Sequence, residues 1–195
     1  MSHLIILASA SPRRKALLQQ MGIKHKSVHP DCNEPAREPN EKPEMLCCRT
    51  ACLKAASVAK HYPDNPILAA DTIVVIDNFI LGKPASKHDI RNMITRLSGR
   101  EHSVFSGLAL VLPDQQPVIR HCETKVVFRN LSDKEISWYT ESADCLDKAG
   151  AYGIQSLGGL LVKEIRGDWY NVVGLPVPLL IDLLMCYCPE LWPPV

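Results

Sequence analysis

Three groups of residues in this chain combine reactive side chains with a backbone setting that a solvated surface does not need. The first is Ser9-Ala10-Ser11-Pro12-Arg13-Arg14, two hydroxyls and two guanidiniums crowded onto the start of an amphipathic stretch. The free N–H groups and positive dipole end of a helix attract anions, so this cluster suits a phosphate; the plain alternative is an Arg-Arg pair solvated at the surface. The second is Asp71, followed by Thr72, with four apolar residues on either side across residues 67–76. An ionised carboxylate in a buried strand is costly unless a cation, a metal or hydrogen-bond donors meet it. Asp71 is therefore a candidate metal ligand or general base at the tip of a central strand, or else a side chain that bonds a turn. The third runs from Asp147 to Gln155 and on to Gly158-Gly159, with four glycines inside ten residues beside Asp147, Lys148 and Gln155. Such a backbone bends to come close to something, although a plain loop explains the glycines too.

Single charged residues could serve the same chemistry. Glu34 stands near the start of a loop, residues 30–43, that holds four prolines. Lys54 shares a predicted helix face with Ala51 and Val58, unusual company for a solvated lysine, though a stem snorkelling along apolar surface would look alike. Lys83 follows Gly82 and precedes Pro84. This is no P-loop, because Asp77 stands where the first glycine belongs and Pro84 where the magnesium-binding hydroxyl belongs. What remains is a lysine on a stiff loop, suited to a phosphate or to solvent.

The elements that must position these residues alternate between strand and helix. Leu4 to Ala8 reads as a strand and Pro12 onward as a helix, with Ser11 as N-cap and Gly22 at its left-handed close. A short strand over 24–28, a helix over 44–60 and the apolar strand over 67–76 follow. Asp77-Asn78 turns the chain into Phe79-Ile80-Leu81, and Ser86 with Asp89 caps a helix ending at Ser98-Gly99. Strands over 104–112 and 118–128 form a hairpin, Ser132 with Glu135 caps another helix, and a strand over 160–165 precedes a last helix over 177–187. The pattern predicts an α/β fold with a mixed sheet, organised as one domain over residues 1–195.

Composition narrows the function classes. Lys and Arg number 22 against 21 Asp and Glu, so neither a nucleic-acid nor a membrane-surface role gains support from charge. No stretch is long and apolar enough to span a membrane, and the N-terminus lacks a secretory pattern, so a cytoplasmic protein is expected. The eight cysteines contain no C-x2-C pair. Cys48 and Cys52 fall inside a predicted helix with no second pair to complete a zinc site, and all eight read as reduced thiols.

Six motifs in order then carry a family likeness. They are Ser9-Ala-Ser11-Pro12-Arg13-Arg14, Ala70-Asp71-Thr72, Leu81-Gly82-Lys83-Pro84, Leu97-Ser98-Gly99, Asp147 to Gln155, and Asn171-Val172-Val173-Gly174-Leu175-Pro176. Together they resemble the Maf-like nucleoside triphosphate pyrophosphatases. The resemblance implies an elongated mixed sheet flanked by helices, with two lobes around a central cleft, as in inosine-triphosphatase-like proteins. It also implies a homodimer, a divalent cation (Mg2+ or Mn2+), and hydrolysis of a nucleoside triphosphate to monophosphate and pyrophosphate. The family was first linked to septum formation, and its chemistry is thought to remove non-standard nucleotides. In the family the Asp of Ala-Asp-Thr is taken as catalytic base, here Asp71, while Arg13, Thr72 and Gln155 match positions that bear on substrate choice. The glutamine resembles the branch acting on dTTP and UTP rather than the branch acting on 7-methyl-GTP, which tends to carry glutamate. Ser106-Gly107, where Thr-Gly is common, and Asp144-Cys145, where Glu-Pro is common, depart from the pattern, near the expected sheet edge and substrate loop.

Residues and resemblance join in one expected mechanism. Arg13, Arg14, Lys54 and Lys83, with Ser9, Ser11 and the first helix's N-terminus, hold a triphosphate, while Glu34 and Asp71 bind the cation or position the attacking water. Gln155 suits a pyrimidine edge, and Thr72 would sit beneath it. Two other classes stay open at this point: a nucleotide-binding regulator of division without turnover, and a phosphoryl transferase, which the absence of a kinase-type or P-loop sequence disfavours.

Overall fold

In a computed structural model, residues 4–142 and 145–193 are described. The four residues Ile5–Ala8 form strand β1, buried throughout, and the chain turns directly into helix α1 (Pro12–Gln20). Ser11 caps α1 by accepting the Arg14 N–H at 3.5 Å, and Gly22, at φ 70°, lets the Ile23 N–H reach back to the Leu18 carbonyl at 3.0 Å. Strand β2 (His25–Val28) runs parallel to β1 on one side. After helix α2 (Pro43–Ala59), strand β3 (Ile67–Ile76) runs parallel to β1 on the other. Strand order therefore reverses at β1, and the carboxyl ends of strands at such a reversal are where open α/β sheets bind ligands.

Asp77 and Asn78, both at positive φ, make the tight turn from β3 into the antiparallel strand β4 (Phe79–Leu81). Helix α3 (Lys87–Leu97) follows, then strands β5 (Glu101–Val111) and β6 (Val118–Phe128), helix α4 (Asp133–Ser142) and strand β7 (Val162–Arg166). Helices α5 (Trp169–Val173) and α6 (Val177–Tyr187) follow, and then a 3-10 turn over Pro189–Leu191. One mixed seven-stranded sheet results, ordered β2-β1-β3-β5-β6-β7 with β4 on β3, and helices flank it as the α/β reading expected. The box at Ser132 closes, with Ser132 and Glu135 capping each other's N–H groups at 3.3 and 2.8 Å; at Ser86 half of it forms, Ser86 accepting from the Asp89 N–H at 3.2 Å while the Asp89 carboxylate accepts from the Ala85 N–H at 3.0 Å.

Several boundaries differ from expectation. Strand β5 begins at Glu101 rather than Val104, because His102 and Ser103 are buried although polar. Residues 157–161 coil into a tight 3-10 turn, so β7 starts at Val162 rather than Leu160. Helix α5 was not expected at all; Asp168 nucleates it by accepting the Tyr170 N–H at 2.8 Å. Ser106 and Gly107 lie on β5, an interior strand, not near the sheet edge. A side chain at Gly107 would meet the Cys47–Cys48 backbone at 2.5 Å, so glycine there allows α2 to approach β5 closely. Asp144 and Pro194 lie outside the described residues.

Two compact units divide the chain. The first takes the chain up to Asp71, Ser106–Cys122, and Gly174 onward, and its core includes Ile6, Ala8, Ala51, Ala55, Val58, Ile67 and Ala109. The second takes Thr72–Phe105 and Glu123–Val173, with a core built on Val74, Ile90, Ile94, Phe128, Tyr139 and Tyr152. All eight cysteines are free thiols. Among the described residues, no helix is long and apolar enough to cross a membrane.

Candidate active site

Within the first unit, β1 stops at Ala8 and the next residues wrap the start of α1 into a polar corner. Ser9 is buried, and its Oγ accepts the Ser11 N–H at 3.1 Å and an Arg14 Nη1–H at 3.2 Å. With both lone pairs engaged, the proton of Ser9 is the group it can present to a ligand. Arg14 is only 9 % exposed, and its Nε donates to the Gly174 carbonyl at 2.7 Å. The solvated Arg-Arg alternative therefore fails for Arg14, whereas Arg13 is half-buried. Burial pulls the Arg14 pKa below its ordinary value; the negative charge of Asp71 opposes that most, Arg13 adds to it, and Glu34 opposes it more weakly. Arg14 and the two acids thus lie within electrostatic reach of one another.

Asp71 and Lys54 are each 8 % exposed. Lys54 Nζ donates to Asp71 Oδ1 at 2.7 Å and to Glu34 Oε1 at 2.7 Å. Helix α2 brings the ammonium there because Ala51, Ala55 and Val58 let it lie close on the sheet. Lys54 is thus a buried cation between two carboxylates and not a snorkelling stem. Asp71 stands in the middle of β3, not at its tip. Its parallel neighbour β1 runs only to Ala8, and β3 continues because Val74–Ile76 pair with β4. The carboxylate emerges past the end of β1, so the function expected of a strand end is met by a neighbour's ending.

These residues fit a divalent ion of the hard, oxygen-binding kind. Two carboxylates from different elements already converge on one cation, the Lys54 ammonium, which stands in for positive charge at that point. Mg2+ usually takes one or two carboxylates and completes its set with water and substrate phosphates. Among the described residues, no group of three or more His, Cys, Asp or Glu could form a closed cage. An ion here would be finished by the substrate.

Thr72, Lys83 and Gln155 belong to the second unit. Thr72 is half-buried on β3 directly after Asp71. Lys83 is exposed on a loop pinned by the Gly150 N–H, which donates to the Gly82 carbonyl at 3.0 Å. That bond joins two motifs far apart in sequence. Gln155 is exposed on a turn closed by the Ser156 N–H to the Gly153 carbonyl at 3.2 Å. The polar company of this segment is partly local: Lys148 pairs with Asp147 at 2.6 Å while its stem covers Gly153.

Sequence reasoning missed the anchor of Arg14. Gly174, at φ 124°, turns its carbonyl toward the guanidinium, a conformation that side-chain-bearing residues rarely adopt. The only trace of this in the chain was a glycine ahead of Leu175-Pro176. His102, buried beside Tyr152, also went unnoticed.

A family profile described as "Maf-like protein" matches residues 4–186. A dTTP/UTP pyrophosphatase of Clostridioides difficile is 46% identical over 184 residues, covering 94% of this chain and 94% of that one. Another, from Symbiobacterium thermophilum, is 46% identical over 180 residues, with 92% of each chain covered. Among solved structures, a HAM1 protein from Coxiella burnetii aligns over 67% of this chain and 75% of its own, at 22% identity and a TM-score of 0.49.

Proposed function

Because this chain belongs to the Maf-like protein family, we propose that it is a nucleoside triphosphate pyrophosphatase acting on dTTP and UTP, and on modified pyrimidine nucleotides of the same shape. The supporting observation is the buried Lys54 ammonium held between Asp71 and Glu34, within electrostatic reach of Arg14. Such a cluster is costly to bury unless it meets further charge, and a polyphosphate with its counter-ion supplies that charge.

In this reading Ser9, Ser11, Arg13, Arg14 and the N–H groups that open α1 hold phosphate oxygens. A water oxygen attacks the α-phosphorus, the bond from that phosphorus to the bridging oxygen breaks, and pyrophosphate leaves. Asp71 orients the water and accepts its proton. Lys54, already beside both acids, swings its charge toward the leaving group, and Lys83 assists from its fixed loop. A divalent cation, Mg2+ or Mn2+, bound by Glu34 and Asp71, would neutralise phosphate charge and acidify water. The amide of Gln155 offers a donor and an acceptor to the edge of uracil or thymine, and Thr72 bears on the same choice. As in the family, the working form would be a homodimer in the cytoplasm, clearing non-standard nucleotides.

A panel of nucleoside triphosphates with Mg2+ or Mn2+, its products resolved by phosphorus NMR, tests this directly. The expected result is monophosphate plus pyrophosphate, fastest with dTTP or UTP and abolished by chelator. Release of orthophosphate, or no turnover of any triphosphate, would overturn it. Light scattering during size exclusion checks the dimer.

A further inference from the structure

His102 has no place in the chemistry above, and its setting needs a reason. It is 2 % exposed on β5, and its ring meets Phe128 and Tyr152 edge-on at centroid distances of 5.1 and 5.5 Å, while those two rings meet each other at 4.9 Å. Nε2 lies 2.8 Å from the Tyr152 hydroxyl; Nδ1 is buried with no partner among the described residues. A lone buried polar atom destabilises a fold, and an apolar side chain would avoid that. Burial holds the ring neutral, its pKa pushed down to about 4. What His102 has that an apolar residue lacks is therefore the one bond to Tyr152.

Tyr152 opens the turn that carries Gln155. Beyond it the chain folds onto itself: the Ser156 N–H bonds Gly153, and the Gly159 N–H bonds Ser156 at 2.9 Å. Gly158 sits so close that a side chain there would meet the Gly153 carbonyl at 2.7 Å and Tyr152 Cβ at 3.1 Å. The turn has no slack of its own, so its placement follows that of Tyr152. His102 on β5 and Phe128 on its paired strand β6 make the rigid wall against which Tyr152 is set.

We propose that His102 is a positioning residue for base selection: by holding the Tyr152 hydroxyl it fixes the turn that presents Gln155 to the pyrimidine. This rests on the reading of Gln155 given above. A side chain fixed at both its hydrogen-bonding end and its ring faces leaves the following residues little freedom, and discrimination between bases depends on such fixed placement.

The test measures kcat and KM for UTP and for GTP in wild type, Tyr152→Phe, His102→Leu, His102→Gln, the Tyr152→Phe/His102→Leu double variant and Gln155→Ala. Tyr152→Phe removes a single oxygen and keeps the ring packing, so it reads the bond even where His102→Leu folds poorly. Expected are a fall of about tenfold in the UTP-over-GTP ratio of kcat/KM for Tyr152→Phe and for His102→Leu, carried by KM for UTP. The double variant falls no further than either single one, and His102→Gln, whose amide reaches the same position as Nε2, keeps the wild-type ratio. If Tyr152→Phe retains the ratio while Gln155→Ala loses it, the inference is overturned and the base reading stands. A ratio unchanged in Gln155→Ala overturns the base reading and the inference with it. Equal losses of kcat for UTP and GTP in Tyr152→Phe and His102→Leu would show a structural role only, and would also overturn it.

Discussion

The two units differ in the polar groups they bury. All the buried charge among the described residues lies in the first, where Arg14, Lys54 and Asp71 join the neutral Ser9, Thr50 and Ser106 under the surface and have partners at 2.7 Å from backbone and side chain. In the second the buried polar groups are neutral. His102 meets Tyr152, and Asn171, wholly buried, donates to the Val104 carbonyl at 2.9 Å and to Thr124 Oγ1 at 3.0 Å. Buried charge is costly and persists where it acts on something charged, whereas neutral polar pairs fix backbone shape at lower cost. In the proposed function, Asp71 and Lys54, which act on the water and the leaving group, fall in the first unit, and Gln155, which reads the base, falls in the second.

Breaking the charged side should have the largest effect. Asp71→Asn keeps the shape of the side chain but removes the proton acceptor, and kcat should fall by about 10³ in a pyrophosphate-release assay while the far-ultraviolet circular dichroism stays unchanged. Loss of less than tenfold would move the base elsewhere. Lys54→Met leaves a buried carboxylate without its cation and should cost about 3 kcal/mol in urea unfolding. Adding Asp71→Leu to it should recover most of that stability without recovering activity, since the cost lies in the charge left alone.

The neutral side answers to pH. The folded pKa of His102 is pushed down to about 4, below the ordinary 6.5, so the folded state refuses a proton that the unfolded state takes. Its contribution is intact above pH 6.5 and is lost as pH falls toward 4, by up to about 3 kcal/mol. Wild type should therefore lose stability across that window faster than His102→Leu when both are unfolded in urea at stepped pH. The smallest effect belongs to a cap outside both networks. Ser132→Ala should cost about 1 kcal/mol and leave kcat and KM for dTTP at wild-type values, which separates stability from site geometry.

Much of the first unit was legible in the chain because its signals are local. Ser11 and Pro12 mark a helix start, and the paired apolar runs around Asp71 mark a buried strand with a misplaced charge. Lys54 was half legible: its small apolar face fitted burial and a snorkelling stem alike, and it held no sign of which acids the ammonium would meet. In the second unit the turn at Asp77-Asn78 and the cap at Ser132 were plain, but α5 and the early start of β5 were not: the Asp168 cap of α5 is local, yet the burial of Asn171 and of His102 depends on partners far along the chain.

Sequence alone determined which residues carry charge, where α1 begins, where β3 is apolar, and the family to which the motif order points. Tertiary structure alone decided that Lys54 would stand between Glu34 and Asp71, twenty and seventeen positions away, that Gly174 would anchor Arg14 across 160 positions, and that His102 would find Tyr152 across 50. Local pattern reports how a residue's neighbours twist and bury the backbone. It holds no record of which distant group will arrive to satisfy a buried atom, because that is set only when the sheet closes its strand order and the helices settle on it.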